Sequence, residues 1–294
     1  MHRGSHEASH GYRHLPFNDT RPRAGGSCVR DGVLDLDRRA VTTSSDASAW
    51  GASQQIVNKA IVIGASSGIG RALAKVLAAN GYSVGLAARR LTLLSEVERE
   101  LPTPAFVKAI DVSTPVDAMR RLRELIAEMN GVELFVISAG TGFVNPDLDW
   151  NREQETIDVN VSGFVAIANV AAEHLQARGS GQIVGISSLA ALRGGGAAPA
   201  YNASKAFESN YMQGLRHRFS TLKLPIAVTD VQAGWVDTAM AKGDGMFWVA
   251  SPEKAARQIF AAIRTRKKHV YVTKRWRVIA WLLRGGPDWL YHKL

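Results

Sequence analysis

The chain has 294 residues, of which 46% are hydrophobic and 21% charged, with a formal net charge of +10 and a single cysteine. That length and balance suit one large globular domain, and one cysteine excludes both an internal disulfide and a paired-thiol redox site. No run approaches the roughly 18 apolar residues of a membrane span, and no repeat at solenoid or propeller spacing is present.

Residues 1–55 are rich in His, Arg, Gly and Ser without a sustained apolar period, and are expected to be a disordered extension. His2, His6, His10 and His14 recur at four-residue spacing, but Gly and Pro lie among them and no acid or Cys cluster completes a metal site, so no metal is expected. Six acids accompany seven arginines in this stretch, and there is no apolar core of signal-peptide length. With Cys28 the only thiol, a cytoplasmic location is expected.

From residue 56 the pattern becomes strand, glycine turn, helix, strand: Ala60 to Ile63, then Gly64, Gly68 and Gly70, then Tyr82 to Ala88. Glycines at this spacing let the backbone turn sharply, approach a pyrophosphate and open a helix whose first amides favour negative charge. Gly64 to Gly68 also match G-x-S-x-G, the nucleophile elbow of serine hydrolases. That reading lacks an upstream oxyanion loop and a well-placed histidine. After the second strand, where an NAD enzyme carries an acid for the ribose 2′-hydroxyl, stand Arg89 and Arg90. Guanidinium groups there offer charge-assisted bonds to a 2′-phosphate, so NADP(H) is expected over NAD(H). Arg71 is expected to add to that field.

A third strand, Ala105 to Ile110, leads to Asp111 and Val112; a fourth, Val132 to Ile137, leads to Ser138, Ala139 and Gly140. A long, partly buried helix carrying Asn160 follows, then an apolar run ending at Ser188, whose hydroxyl is expected at a strand's carboxyl end. Tyr201 and Lys205 lie four apart after Pro199, on one face of a predicted helix. A nearby ammonium favours phenolate, which lets a tyrosine exchange protons near neutrality.

This set resembles the short-chain dehydrogenase/reductase family, whose active-site pattern is Ser followed by Tyr-x-x-x-Lys and whose glycine motif has the spacing found here. The resemblance covers roughly Lys59 to Tyr271. It implies a single doubly wound α/β domain over 56–273, a Rossmann-type parallel sheet with helices on both faces. It also implies a cofactor site drawn from Gly64, Ser66, Ser67, Gly68, Ile69, Gly70, Arg89, Arg90, Asp111, Val112, Ser138, Ala139, Gly140, Tyr201, Lys205, Val236 and Thr238. In the family's terms Tyr201 exchanges a proton with the substrate oxygen, Ser188 holds that oxygen, Lys205 tunes Tyr201 and binds the nicotinamide ribose, and Asn160 positions a water. The implied reaction is hydride transfer between the cofactor and a carbonyl or secondary alcohol. The alternative on the same fold is an NADP-binding protein without turnover. Three positions depart from the family's pattern: Ile63 for Thr, Ser138 for Asn, and Ala233 for Pro.

Beyond Thr238 the substrate lid is short, and two readings stay open for Met240, Met246, Phe247 and Trp248: an apolar wall for an apolar substrate, or packing against the core. A helix begins at Ser251-Pro252. From Arg264 to the end, nine Lys or Arg face one Asp, and residues 274–294 read as a basic, Trp-rich helical tail. Two readings stay open for that tail: it covers the sheet edge or a second subunit of a homodimer or homotetramer, or it contacts anionic lipid peripherally. No reading module accompanies the charge, so nucleic acid is not expected.

Overall fold

A computed structural model of the chain describes residues 58–240 and 247–285. The extension with its histidines and Cys28, Met246, and the end of the basic tail lie outside the described residues.

Seven strands form one all-parallel sheet: β1 (Lys59–Ile63), β2 (Ser83–Ala88), β3 (Phe106–Ala109), β4 (Leu134–Ile137), β5 (Gly181–Ser188), β6 (Ile226–Ala233) and β7 (His269–Val272). Their spatial order is β3-β2-β1-β4-β5-β6-β7. The expected doubly wound sheet is therefore the one the chain forms. Strands buried on both faces read as continuous apolar runs, which is why KAIVI and LFVI carry no polar alternation.

Neighbouring residues of each strand serve opposite layers. Ile61 and Ile63 join one core with Leu122, Leu125, Phe135, Ile167 and Met212, under α3 (Pro115–Glu128), α5 (Phe164–Arg178) and α6 (Pro199–Thr221). Ala60 and Val62 join the other with Leu73, Leu77, Leu94 and Ile259, under α1 (Gly68–Ala79), α2 (Leu91–Arg99) and α7 (Pro252–Arg264). Each fully buried Leu or Ile contributes roughly 1.5–3 kcal/mol to this packing. α7 starts where the sequence predicts, with Ser251 Oγ accepting the Lys254 amide at 3.2 Å.

The helix expected around Asn160 is not uniform. It begins as α4 (Trp150–Ile157), capped by Asp149, widens into a π-helical turn over Asp158–Gly163, and resumes as α5. Gly163 lies in that wide turn because a methyl there would meet the Val112 carbonyl oxygen at 2.5 Å. Such turns concentrate at functional sites because they re-aim one side chain without breaking the helix.

The chain reverses direction across the sheet between β1 and β4. With all strands parallel, the segments after β1, β2, β3, β4, β5 and β6 open at one edge, and the crevice at the switch point is where ligands of such sheets bind.

Candidate active site

Every predicted site residue leaves the carboxyl end of a strand or a helix facing it. Gly64 follows β1, Arg89 follows β2, Asp111 follows β3, Ser138 follows β4, Ser188 ends β5 and Val236 follows β6. Gly64 has φ +91° and packs so tightly that a methyl would lie 2.5 Å from the Ala139 amide nitrogen. Gly68, φ +55°, would bring a methyl to 3.0 Å from Thr238 Cγ2, which ties the glycine turn to the segment after β6. Gly70 opens the first turn of α1 against Gly64 and Ser138, and Ile69 is half-buried beside it.

Ser67 is exposed and caps α1 without a side-chain hydrogen bond, so the helix's first amides have no competing side-chain oxygen at the cap. That cradle fits an anionic group such as a pyrophosphate. Arg90 Nη2 lies 3.4 Å from the buried Ser66 Oγ, and Arg89 is exposed on the same side of the turn. Arg71 does not join them: it pairs with Glu100 at 2.6 Å, as Lys75 also does, and these cations hold the Glu100 carboxyl below its ordinary value. Arg71, expected to add to the phosphate field, is engaged by this ion pair at the end of α2.

Asp111 accepts hydrogen bonds from the amide and hydroxyl of Ser113 at 3.0 and 2.7 Å, and Val112 is buried beside it. Ser138 bonds through its amide to the Ile63 carbonyl at 2.8 Å, holding the Ser138-Ala139-Gly140 turn against β1. Val236 is buried and bridges Ala250, so the segment after β6 is pinned to the start of α7.

Three of the four candidate catalytic residues converge around this floor, Tyr201 and Lys205 beside each other and Asn160 through Thr141 and Ser204. Asn160 is wholly buried; its Nδ2 donates to the Thr141 carbonyl at 2.7 Å and to Ser204 Oγ at 3.0 Å, and its Oδ1 accepts the Thr141 amide at 2.9 Å. Lys205 Nζ lies 5.9 Å from the centroid of the Tyr201 ring. A methyl on Gly140 would stand 3.1 Å from Lys205 Nζ and 3.4 Å from Asn160 Oδ1. The Tyr201 ring rests on Gly142, which has no room for a side chain. Ser188 Oγ accepts the Ala190 amide at 3.1 Å and lies 3.4 Å from the Ala233 carbonyl. It sits at the end of β5, the strand against which α6 packs.

The serine-hydrolase reading gains no support from His174. His174 bonds the Val132 backbone ahead of β4, at the opposite end of the parallel strands from Gly64, and burial lowers its pKa.

The sequence profile described as short chain dehydrogenase matches residues 58–245, more than half of the chain. The chain belongs to the short-chain dehydrogenase family. Members bind NAD(P) and act as oxidoreductases. An oxidoreductase of Myxococcus xanthus, itself uncharacterized, is 40% identical over 162 residues, 53% of this chain and 64% of the relative. Another from Staphylococcus epidermidis is 32% identical over 186 residues, 63% of this chain and 80% of the relative. Among solved structures, an alcohol dehydrogenase from the archaeon Thermococcus sibiricus, complexed with 5-hydroxy-NADP, shares the fold at TM-score 0.66 and 21% identity over 73% of this chain and 95% of its own.

Beside this candidate site stands an aromatic wall that the sequence shows only in part. Phe247 and Trp248 were expected there; Trp276, the first residue of α8 (Trp276–Gly285), completes it, with ring centroids 5.0 and 5.6 Å from theirs. Trp276 packs on Gly234 and on Leu189, just after Ser188. Arg193 Nε donates to the Leu283 carbonyl at 2.8 Å, fastening α8 over that turn. The opposite side of α8 leaves Val278 and Trp281 exposed, and among the described residues no helix is long and apolar enough to cross a membrane.

One further residue escaped the sequence reading. Glu208 is 1% exposed and pairs with Lys205. Its position three residues beyond Lys205 puts it on the buried stripe of α6 with Ser204, Lys205, Met212, Leu215 and Phe219, and that helical period was the available signal.

Proposed function

We propose that this chain is an NADP(H)-dependent reductase or dehydrogenase that moves hydride between the nicotinamide and a carbonyl or secondary alcohol. The observation that carries the reading is the convergence of Asn160, Tyr201 and Lys205 through Thr141, Ser204 and Gly140, beside the glycine turn.

Bound NADPH supplies the hydride, and the protein supplies orientation and the proton. Ser188, at the end of β5, holds the substrate oxygen by a hydrogen bond. Tyr201 donates its phenolic proton to that oxygen in reduction and accepts it in oxidation. Lys205 favours the phenolate that remains and binds the nicotinamide ribose. Asn160, through its bonds to both backbone groups of Thr141, shapes the wall beside them and positions a water that leads toward solvent. Gly64, Ser66, Ser67, Gly68, Ile69 and Gly70 cradle the pyrophosphate, Asp111 and Val112 meet the adenine, Ser138, Ala139 and Gly140 line the ribose, and Val236 and Thr238 hold the carboxamide.

Support for NADP rather than NAD comes from Arg89 and Arg90 in place of an acid after β2, and from the 5-hydroxy-NADP with which the Thermococcus enzyme is complexed. Phe247, Trp248 and Trp276 support an apolar substrate. The test is oxidation of NADPH, and separately of NADH, with a panel of apolar and polar carbonyls, running Tyr201→Phe beside the parent. Turnover that prefers NADPH and vanishes in the variant is expected. Cofactor binding without turnover across the panel, unchanged by the substitution, would replace this reading with a non-catalytic NADP-binding protein.

A further inference from the structure

Lys205 and Glu208 form an ion pair inside the protein: Nζ lies 2.9 and 3.0 Å from the two carboxylate oxygens and 3.2 Å from the Ile186 carbonyl. Lys205 is 4% exposed and Glu208 1%. Three oxygens, two of them on one carboxylate, hold the ammonium in place. Desolvating each ion costs several kcal/mol, and an uncharged residue at 208 would remove that cost for the carboxylate while leaving the Lys205 ammonium buried without its counter-charge. The carboxylate therefore sets the field around the lysine that serves Tyr201.

We propose that Glu208 is a positioning residue that fixes the Lys205 ammonium and offsets part of its charge, so that the Tyr201–Lys205 site holds its proton and is poised to reduce carbonyls. The inference rests on the reading of Tyr201 as the proton donor. An ammonium alone is a monopole that favours loss of the phenolic proton; with a carboxylate 2.9 Å behind it the pair is a dipole, whose field falls off faster with distance. The sign does not depend on which group titrates. Removing a fixed negative charge makes proton loss easier from Tyr201 or from Lys205 alike.

Burial pushes Glu208 up to about 7, with Asp230 on β6 adding to the rise and Lys205 opposing it, so the offsetting carboxylate is charged above that pH, where the Tyr201 titration is read. For Lys205, burial acts to lower the pKa, but Glu208, Tyr201 and Asp230 together outweigh it and hold the ammonium above its ordinary value. Asp230 is itself bound by Ser187 Oγ at 2.5 Å and Ser209 Oγ at 2.8 Å and stands opposite His269 on β7. Arg216, further along α6, also feels the Asp230 charge. β5 and the π-helical turn bring neutral groups, Ser187 and Asn160.

The test needs no known substrate. Phenolate absorbance is titrated in the parent minus Tyr201→Phe, and in Glu208→Gln minus the Glu208→Gln/Tyr201→Phe double variant, so that each difference isolates Tyr201. The Gln variant is expected to ionise at lower pH by about one unit or more. With a carbonyl that the parent reduces, the alkaline limb of the reductive rate should move down with it. A folded Gln variant whose titration and pH profile overlie the parent's, or move upward, overturns the proposal; a uniform loss of rate without a shift would mark a purely structural role. Should the Gln variant not fold, Glu208→Asp, with its carboxylate drawn back by a methylene, must shift the same way by less, and no shift there overturns it too. Full turnover by Tyr201→Phe would instead sink the proton-donor reading, whatever the Glu208 titration shows.

Discussion

Gly142→Ala should remove most turnover while leaving the cofactor site intact. A methyl built on Gly142 drives into Cδ2 of the Tyr201 ring and stands 2.9 Å from Cε2 and 3.0 Å from Cγ. Carbon atoms pack best at about 3.5–4.0 Å, so ring or loop must withdraw by more than about 1 Å at Cδ2. The loop is held on both sides of this residue. Thr141 is bonded through its amide and carbonyl to Asn160, at 2.9 and 2.7 Å, and the Asn145 amide donates to the Ala197 carbonyl at 2.8 Å. The ring, on the first turn of α6, therefore takes much of the movement. A misplacement of about 1 Å at a reacting group costs on the order of a hundredfold in rate, equivalent to about 2.7 kcal/mol. The assay is kcat for the best carbonyl in the panel beside NADPH affinity by fluorescence. Expected is a fall of about a hundredfold in kcat with affinity little changed. A kcat within about threefold of the parent would refute the claim that loop and ring are locked together.

Three further outcomes are open to measurement. Asn160→Ala breaks three hydrogen bonds of a fully buried side chain. At about 1 kcal/mol each, the loss is about 3 kcal/mol, which for a domain of this size lowers Tm by roughly 6–12 °C; thermal unfolding by circular dichroism showing under about 2 °C would contradict it. Replacing Arg89 and Arg90 together by Ala should weaken NADPH binding by about 10–100-fold, from roughly 1.5–3 kcal/mol of charge-assisted bonding, with NADH affinity little altered. Equal weakening of both cofactors would remove the 2′-phosphate argument. Glu208 gives a pH dependence of stability. Its carboxyl titrates at about 7 in the folded chain against an ordinary 4.5, so the folded state binds that proton more tightly. Its contribution is fully present below pH 4.5 and is lost as the pH rises through about 7. Thermal unfolding should therefore show the parent losing stability relative to Glu208→Gln across that window, and parallel curves would count against the shift.

Much of the fold was legible because its signals are local. KAIVI, LFVI and the run ending at Ser188 read as buried strands from their apolar continuity, and the structure differs from the expected limits by one or two residues, as at Phe106–Ala109 and Leu134–Ile137. The glycine turn and the Tyr201–Lys205 spacing were readable for the same reason: a backbone reversal needs glycine, and an i,i+4 pair shares a helical face. The wide turn at Asn160 was not, since DVNVSG carries no residue signature that separates a π-helical turn from an α-helical one.

The sequence by itself determined which elements form, their order, and which residues stand at strand ends, because periodicity and glycine chemistry act within a few residues. Tertiary structure decided the partners. Arg71 paired with Glu100, Trp276 joined Phe247 and Trp248, and Asn160 met Ser204. Glu208 became the counter-ion of Lys205 because burial on the inner stripe of α6 left it no water. Electrostatic partners and desolvation depend on distances between segments far apart in the chain, and those distances exist only once the helices have closed over the sheet.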